Sequence, residues 1–218
     1  MGKIEETYEI PSCVSIISEY AFFGNKHITH MDFPEGRTEI HDSSFYSCHA
    51  LRSISIPSSV INVDSWAFRY CPELAEINIS DDARGFYHNS FEGTAYTENI
   101  NNWENGILYI GKHLITVSES TDDKITVKKG TLSISSCAFS DKIYLENIVL
   151  PDTIEYIGSS AFSNCIALRS IQLPNNLNYI DTGAFYHCAS LESVAIPEGV
   201  QKVSFYAFAE CNKLNTVS

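Results

Sequence analysis

The sequence has little positive charge and no long apolar run, and each shortage excludes a class of partner. It holds 14 Lys and Arg residues against 27 Asp and Glu residues, which gives a formal net charge of −13. Because nucleic acids and anionic membrane surfaces are bound largely through positive charge, the sequence predicts neither as a partner. No apolar stretch approaches the roughly 20 residues that span a bilayer. We therefore expect no membrane insertion.

The sequence also lacks a targeting signal and a recognisable catalytic motif. Residues 1–6 contain no apolar signal core. There is no nucleophile elbow, phosphate-binding glycine loop or local catalytic cysteine signature. His27 and His30 form an H-x-x-H pair, but no acidic ligand follows them, so the spacing favours surface histidines over a metal site. We predict that the chain is not an enzyme and binds no metal or cofactor.

An internal repeat dominates what is present. A Phe preceded by Ala or Ser recurs eight times, always 23 residues apart except for the 48 residues between Phe91 and Phe139. The eight are Phe22, Phe45, Phe68, Phe91, Phe139, Phe162, Phe185 and Phe208. Each unit also follows the pattern L-x-x-I-x-I-P-x-x-V, as residues 51–60 show. A period of about 20 to 29 residues with this apolar spacing is typical of leucine-rich repeats.

Such repeats predict a solenoid, because one unit cannot bury its apolar face alone whereas stacked units bury one another's. We predict one right-handed solenoid of the leucine-rich-repeat type over residues 1–218, α/β or mostly β. It should contain eight units of about 23 residues with short parallel strands. The long interval predicts an insertion at residues 98–121. Within it, residues 107–110 and 113–117 flank Gly111 and Lys112, which predicts a β-hairpin.

Five cysteines recur three residues after the repeat Phe, and they are Cys48, Cys71, Cys165, Cys188 and Cys211. A small residue that hydrogen-bonds the backbone suits a tight turn there. Rungs about 4.8 Å apart would allow disulfides by distance. However, Cys165, Cys188 and Cys211 cannot all pair with one another, and the total of seven is odd. We predict free, buried thiols rather than disulfides or a zinc site.

The motif is specific enough to resemble one family. Residues 193–211 closely resemble the BspA-like leucine-rich repeats of bacterial and protist surface proteins, and the resemblance covers nearly the whole chain. It implies an extracellular or cell-surface protein that takes part in adhesion or partner recognition, with no catalytic residues. Departures from the motif, such as Thr94 and Lys142 in place of Cys, lie on either side of the insertion.

Three groups of side chains are candidate contact residues. The outward positions of the first strand, such as Ser53 and Ser55, are small and polar. Those of the second strand are richer, and from them we predict Glu155, Tyr156, Tyr179 and Lys202 as binding residues. The insertion adds Trp103 and Tyr109, which either pack against the solenoid edge or form a recognition element. Outside these three groups, Tyr20, Trp66 and Tyr206 precede the repeat Ala, where they either cover a core edge or are partly exposed.

The sequence therefore predicts a non-catalytic protein-binding or adhesion module of a secreted or cell-surface bacterial protein. A protein is the expected partner, with a glycan as the alternative, and the chain is expected to be a monomer. Eight rungs would offer a face of about 600 to 800 Å², comparable with one side of a standard protein interface. The other hypotheses are a structural spacer that displays another domain and an enzyme with an unrecognised site.

Overall fold

The computed structural model describes residues 6–36, 38–119 and 123–218. These residues form mostly-β solenoid turns, about nine in all, with short parallel strands and almost no helix, which confirms the predicted fold class. The chain divides into two compact units. The first is Met1–Glu104 with Tyr109–Gly111, and the second is Asn105–Leu108 with Lys112–Ser218. A single solenoid domain over residues 1–218 stays a prediction.

The first unit contains two parallel sheets, a short helical segment and one further strand outside those sheets. Its strands are β1 (Glu6–Glu9), β2 (Ile16–Ile17), β3 (Ile28–Asp32), β4 (Thr38–Ile40), β5 (Ser53–Ile56), β6 (Val60–Val63), β7 (Glu76–Ile79) and β8 (Trp103–Glu104), with helix α1 (Ala95–Glu98) and a 3-10 helix (Ile100–Asn102) before β8. One sheet has the order β1-β3-β5-β7 and the other β2-β4-β6. Ile54 pairs with Ile77, one repeat later. Equivalent residues of successive repeats therefore stack.

The second unit uses the same parallel pairing, and most of its strands are only two or three residues long. They are β10 (His113–Val117), β11 (Lys124–Thr126), β12 (Ser133–Ile134), β13 (Asn147–Val149), β14 (Tyr156–Ile157), β15 (Tyr179–Ile180), β16 (Ser193–Val194), β17 (Lys202–Val203) and β18 (Thr216–Val217). Strands β10, β12, β14, β15 and β17 pair in that order, while β11 pairs with β13 and β16 with β18. Strand β18 follows the repeat of Phe208, so the described turns exceed the eight that the Phe count predicted.

The repeat phenylalanines form the centre of each core. In the first unit, neighbouring rings stack with centroids 4.8 to 5.5 Å apart and planes within 7° of parallel, and they belong to Phe22, Phe45, Phe68 and Phe91. In the second unit the centroids are 4.9 to 5.1 Å apart and the planes within 5°, for Phe139, Phe162, Phe185 and Phe208. Each inner ring covers the faces of two neighbours, which favours the same residue at this position in successive repeats.

The predicted hairpin is present. Strand β9 (Ile107–Ile110) and strand β10 are neighbours in one sheet, and Gly111 and Lys112 join them. Gly111 has a φ of +59°, a left-handed conformation that glycine adopts without steric cost. All four side chains of β9 are buried. Residues 120 and 121 of the predicted insertion lie outside the described residues.

Candidate binding surfaces

The cysteine that follows each repeat Phe ties one repeat to the one before it. The Sγ of Cys165 donates a hydrogen bond of 3.2 Å to the backbone carbonyl of Phe139. The same contact, at 3.1 to 3.2 Å, joins Cys48 to Phe22, Cys71 to Phe45, Cys188 to Phe162 and Cys211 to Phe185. All seven cysteines are free thiols. The five turn cysteines therefore supply hydrogen bonds to backbone carbonyls of the preceding repeat. Burial raises the pKa of Cys165 to about 12.

This burial predicts selective thiol reactivity. We expect an alkylating reagent to label Cys13 quickly, because its side chain is exposed, and Cys137 slowly, because burial raises its pKa. The five turn cysteines should react only after unfolding. Mass spectrometry of native and denatured samples measures this, and a reducing agent should leave the melting temperature unchanged. Rapid labelling of Cys165 in the native protein would contradict the assignment.

The second-strand residues predicted as a binding site lie side by side in the second unit. Tyr156 pairs with Tyr179 on the next rung, and Tyr179 pairs with Lys202. We name this surface, with Glu155, the tyrosine ladder. Both tyrosines are half-buried, Glu155 is half-buried and Lys202 is exposed. Successive side chains of a strand point to opposite faces, and the residues that follow the two tyrosines in β14 and β15 are buried isoleucines. The tyrosine rings therefore point outward.

Hydrogen bonds to the next repeat fix both rings of the tyrosine ladder. The Tyr156 hydroxyl donates to Oδ2 of Asp181 at 2.7 Å, and the Tyr179 hydroxyl donates to Oε1 of Gln201 at 3.0 Å. A ring held in one orientation loses little conformational entropy when a partner covers it. The register positions before Tyr156 are Ser133 and His113, and both are buried. The exposed part of the ladder therefore starts at Tyr156.

The two aromatic residues predicted at the insertion have structural contacts within the first unit. Trp103 is half-buried, and its Nε1 donates a 2.8 Å hydrogen bond to the carbonyl of Thr97. Tyr109 is only 7% exposed, and its carbonyl accepts a hydrogen bond from the Tyr96 hydroxyl. The Tyr109 side chain is therefore inaccessible to a partner, which favours the packing alternative for this residue. Of the two aromatic residues, Trp103 is the one with accessible surface.

A larger aromatic surface lies on the turns of the first unit. We name it the aromatic turn surface, and it consists of Tyr20, Phe23, Tyr46, Trp66, Arg69 and Tyr70. Phe23 stacks on Tyr46 with centroids 5.4 Å apart, while Tyr20 meets Phe23, and Tyr70 meets Tyr46, edge to face. The guanidinium of Arg69 lies 4.6 Å from the Tyr70 ring centroid and 5.3 Å from that of Trp66. Its Nη2 is 2.8 Å from a carboxylate oxygen of Glu92.

Three members of this surface occupy a backbone conformation that disfavours bulky side chains. Tyr20, Trp66 and Tyr70 have φ values of +58°, +59° and +56°. The left-handed region costs an L-residue about 1 to 2 kcal/mol. Ser43, Ser160 and Gly183 occupy the Tyr20 and Trp66 position in other repeats, and Ser47 and Asn164 occupy the Tyr70 position. The fold therefore accepts small residues at these sites, and the aromatic ones are not required by the turn.

Comparison of the sequence with protein families explains the repeats that carry the tyrosine ladder and the aromatic turn surface. A family model described as "BspA type Leucine rich repeat region (6 copies)" matches residues 3–122 and 118–218. The chain belongs to this family. No curated protein sequence matches it.

Several solved structures of bacterial leucine-rich repeat proteins are similar to this BspA-type chain. The pneumococcal vaccine antigen PcpA is 17% identical, with a TM-score of 0.51 over 99% of this chain and 72% of that one. A leucine rich cell surface protein from Faecalibacterium prausnitzii is 22% identical, with a TM-score of 0.44 over 96% and 70%. The leucine rich repeat protein of T. pallidum is 25% identical, with a TM-score of 0.41 over 88% and 81%. The likeness to PcpA supports the fold.

The described part of this BspA-type chain shows no arrangement for metal chemistry. Within residues 6–36, 38–119 and 123–218, no three His, Cys, Asp or Glu side chains are grouped so that they could hold a metal ion. His30 lies with its Nδ1 2.5 Å from the Ser53 hydroxyl, and His27 is exposed. In the same ranges, no helix is long and apolar enough to cross a membrane.

Proposed function

We propose that this chain is a non-catalytic protein-binding or adhesion module of a secreted or cell-surface bacterial protein, and that Glu155, Tyr156, Tyr179 and Lys202 form a contact surface. One observation carries the proposal: the register brings two half-exposed tyrosines and an exposed lysine together on consecutive rungs. Membership in a family of bacterial surface proteins supports the location. Trp103 is a secondary contact, whereas the buried Tyr109 is left out.

The composition of the tyrosine ladder favours a protein partner over a glycan. Tyrosine is enriched among the residues that dominate binding energy at protein interfaces. Each hydroxyl is already bonded to a side chain of the next repeat, which leaves the rings to supply mainly apolar contact. A lysine beside two ordered rings also gives the partner a charge to pair with at the rim. A structural spacer would not need exposed tyrosines at these two positions.

The proposal predicts that a Tyr156→Ser, Tyr179→Ser variant loses a protein ligand. Serine is compatible with the rung, because Ser133 occupies the register position next to Tyr156. Surface plasmon resonance with purified fibronectin, laminin and collagen, beside a glycan array, measures binding of the parent. We expect one of these proteins to bind, and its Kd to rise about tenfold or more in the variant.

Tyr144→Ser is the matched control, because Tyr144 is exposed in the same unit and lies off the ladder. It should bind as the parent does. Binding to glycans alone would contradict the choice of partner class. Equal protein binding by the double variant and the parent would contradict the choice of surface, and no binding to any probe would favour the spacer.

A further inference from the structure

The aromatic turn surface of the first unit has the composition of a protein-binding hot spot. It combines Tyr, Trp and Arg, the residues most enriched among those that dominate interface energies. Tyr20, Phe23, Tyr70 and Trp66 are 58%, 54%, 44% and 39% exposed. These side chains touch one another across three consecutive repeats, from Tyr20 to Arg69. They form a contiguous patch rather than scattered exposed rings, and contiguous apolar patches mark interaction sites.

The repeat pattern supplies an independent observation in favour of binding. Tyr20, Trp66 and Tyr70 sit at positive φ, and equivalent turn positions share this conformation in both units, at residues such as Ser43, Cys137, Ser160 and His187. The positive φ is therefore a property of the repeat turn, and what favours binding is the choice of aromatic side chains where small ones suffice. Between 39% and 58% of each of these three residues remains exposed, so the folded chain buries only part of their apolar surface. A role in packing therefore explains their presence less well than contact with a partner does.

The geometry of the rings favours a protein over a sugar. Phe23 and Tyr46 lie face to face, and Arg69 covers a face of both Trp66 and Tyr70. Tyr70 also packs so closely over Gly93 that a Cβ there would lie 2.5 Å from its Cδ1. A sugar ring stacks on an open aromatic face, and these contacts already cover a face of Phe23, Tyr46, Trp66 and Tyr70. Aliphatic side chains of a protein can pack between the ring edges.

Electrostatic repulsion and attraction distinguish the remaining candidate partners of this surface. The formal net charge of the chain is −13. Within the surface, the positive charge of Arg69 is paired with the carboxylate of Glu92. Two copies of the chain would repel each other, and so would this chain and a nucleic acid or an anionic membrane. A basic protein would be attracted over a longer range.

We propose that the aromatic turn surface docks a protein segment that presents apolar side chains flanked by Lys or Arg. This inference rests on the proposed function that the chain binds protein, but it assigns a second surface in a different unit from the tyrosine ladder. The apolar side chains pack among the ring edges of Tyr20, Phe23 and Tyr46. The basic residues provide attraction to the acidic chain.

The test uses a displayed library of random peptides, selected on the full chain and depleted on a Tyr20→Ser, Trp66→Ser, Tyr70→Ser variant. Serine already occupies both turn positions in other repeats, at Ser43 and Ser47, with the same positive φ, so the variant should keep the parent fold, which its melting curve checks. We expect peptides rich in apolar and basic residues. Their Kd, measured by calorimetry, should rise about tenfold to a hundredfold in the variant, and their binding should weaken as salt is added.

Tyr206→Ser is the matched control. Tyr206 is exposed, has a φ of +58° and occupies the same repeat position as Tyr20, but it lies in the other unit. Its variant should bind the peptides as the parent does. If the triple variant is unstable, the single Tyr20→Ser variant tests the same surface at a strongly exposed position.

The outcomes separate this inference from the proposed function. Failure to recover peptides that distinguish parent from variant, or recovery of acidic peptides only, would overturn the second surface. Binding of a protein that depends on the tyrosine ladder would then leave the proposed function intact. A glycan whose binding is lost in the triple variant would replace the protein segment as occupant. If neither surface binds any protein or peptide, both proposals fail together.

Discussion

Replacing Phe162 with alanine is expected to lower the free energy of unfolding by about 3 to 5 kcal/mol. The ring is fully buried, and it stacks between Phe139 at 4.9 Å and Phe185 at 5.1 Å. Its removal leaves a cavity that two flat rings on either side cannot fill by small movements. It also removes two aromatic contacts, each of which contributes beyond simple burial. Urea denaturation followed by circular dichroism measures the change.

Phe205→Ala is the matched control for this experiment. Phe205 lies in the same unit, and its side chain is largely exposed. Its replacement should change the free energy of unfolding by no more than about 0.5 kcal/mol. A loss below about 1 kcal/mol for Phe162→Ala would show that the ring does not hold neighbouring repeats together.

Replacing Gly158 with alanine is expected to destabilise the second unit by about 1 to 3 kcal/mol. A Cβ at this position would lie 2.5 Å from the backbone nitrogen of Ser136 and 2.9 Å from the carbonyl oxygen of Ile134. Both atoms belong to the backbone of the previous repeat, so relief requires the rungs to move apart. The Gly158 amide also donates to the Ile134 carbonyl at 2.9 Å. Separation of the rungs would therefore weaken that hydrogen bond too.

Gly199→Ala provides the comparison, because it makes the same chemical change without the clash. The nearest atom to a Cβ there is the Leu177 carbonyl oxygen at 3.6 Å, an ordinary contact distance. Neither glycine has a left-handed φ, so backbone strain does not separate them. Thermal melting of both variants is the measurement. Equal melting temperatures would mean that the second unit tolerates wider spacing between these rungs.

The sequence predicted the solenoid, its parallel strands and the hairpin because each depends on local periodicity. A Phe every 23 residues leaves few ways to bury an aromatic ring except by stacking copies. Gly111 and Lys112 between two apolar runs were enough to predict the turn between β9 and β10. The tyrosine ladder also followed from strand alternation, and the structure does place Tyr156 beside Tyr179.

The aromatic turn surface was not predicted as a site, although Tyr20 and Trp66 stood out in the sequence. Phe23 and Tyr46 occupy the position directly after the repeat Phe, whereas Tyr70 lies one position later and Tyr20 and Trp66 lie two positions before it. No single column of the repeat therefore shows them as a group. Their rings meet because side chains from neighbouring turns lean along the stack. Tyr109 illustrates the reverse case. Strand alternation does not reveal that all four side chains of β9 are buried.

The sequence by itself determined the repeat, the residues at the centre of the core and the free, turn-forming role of the five ladder cysteines. These properties recur with the period, and burial of the same apolar residues in every turn enforces them. Only the tertiary structure decided which exposed side chains touch, which turns carry aromatic residues at positive φ, and that the Tyr109 ring is inaccessible. Those depend on how far each side chain reaches into the next turn, and on backbone angles that the repeat pattern does not specify.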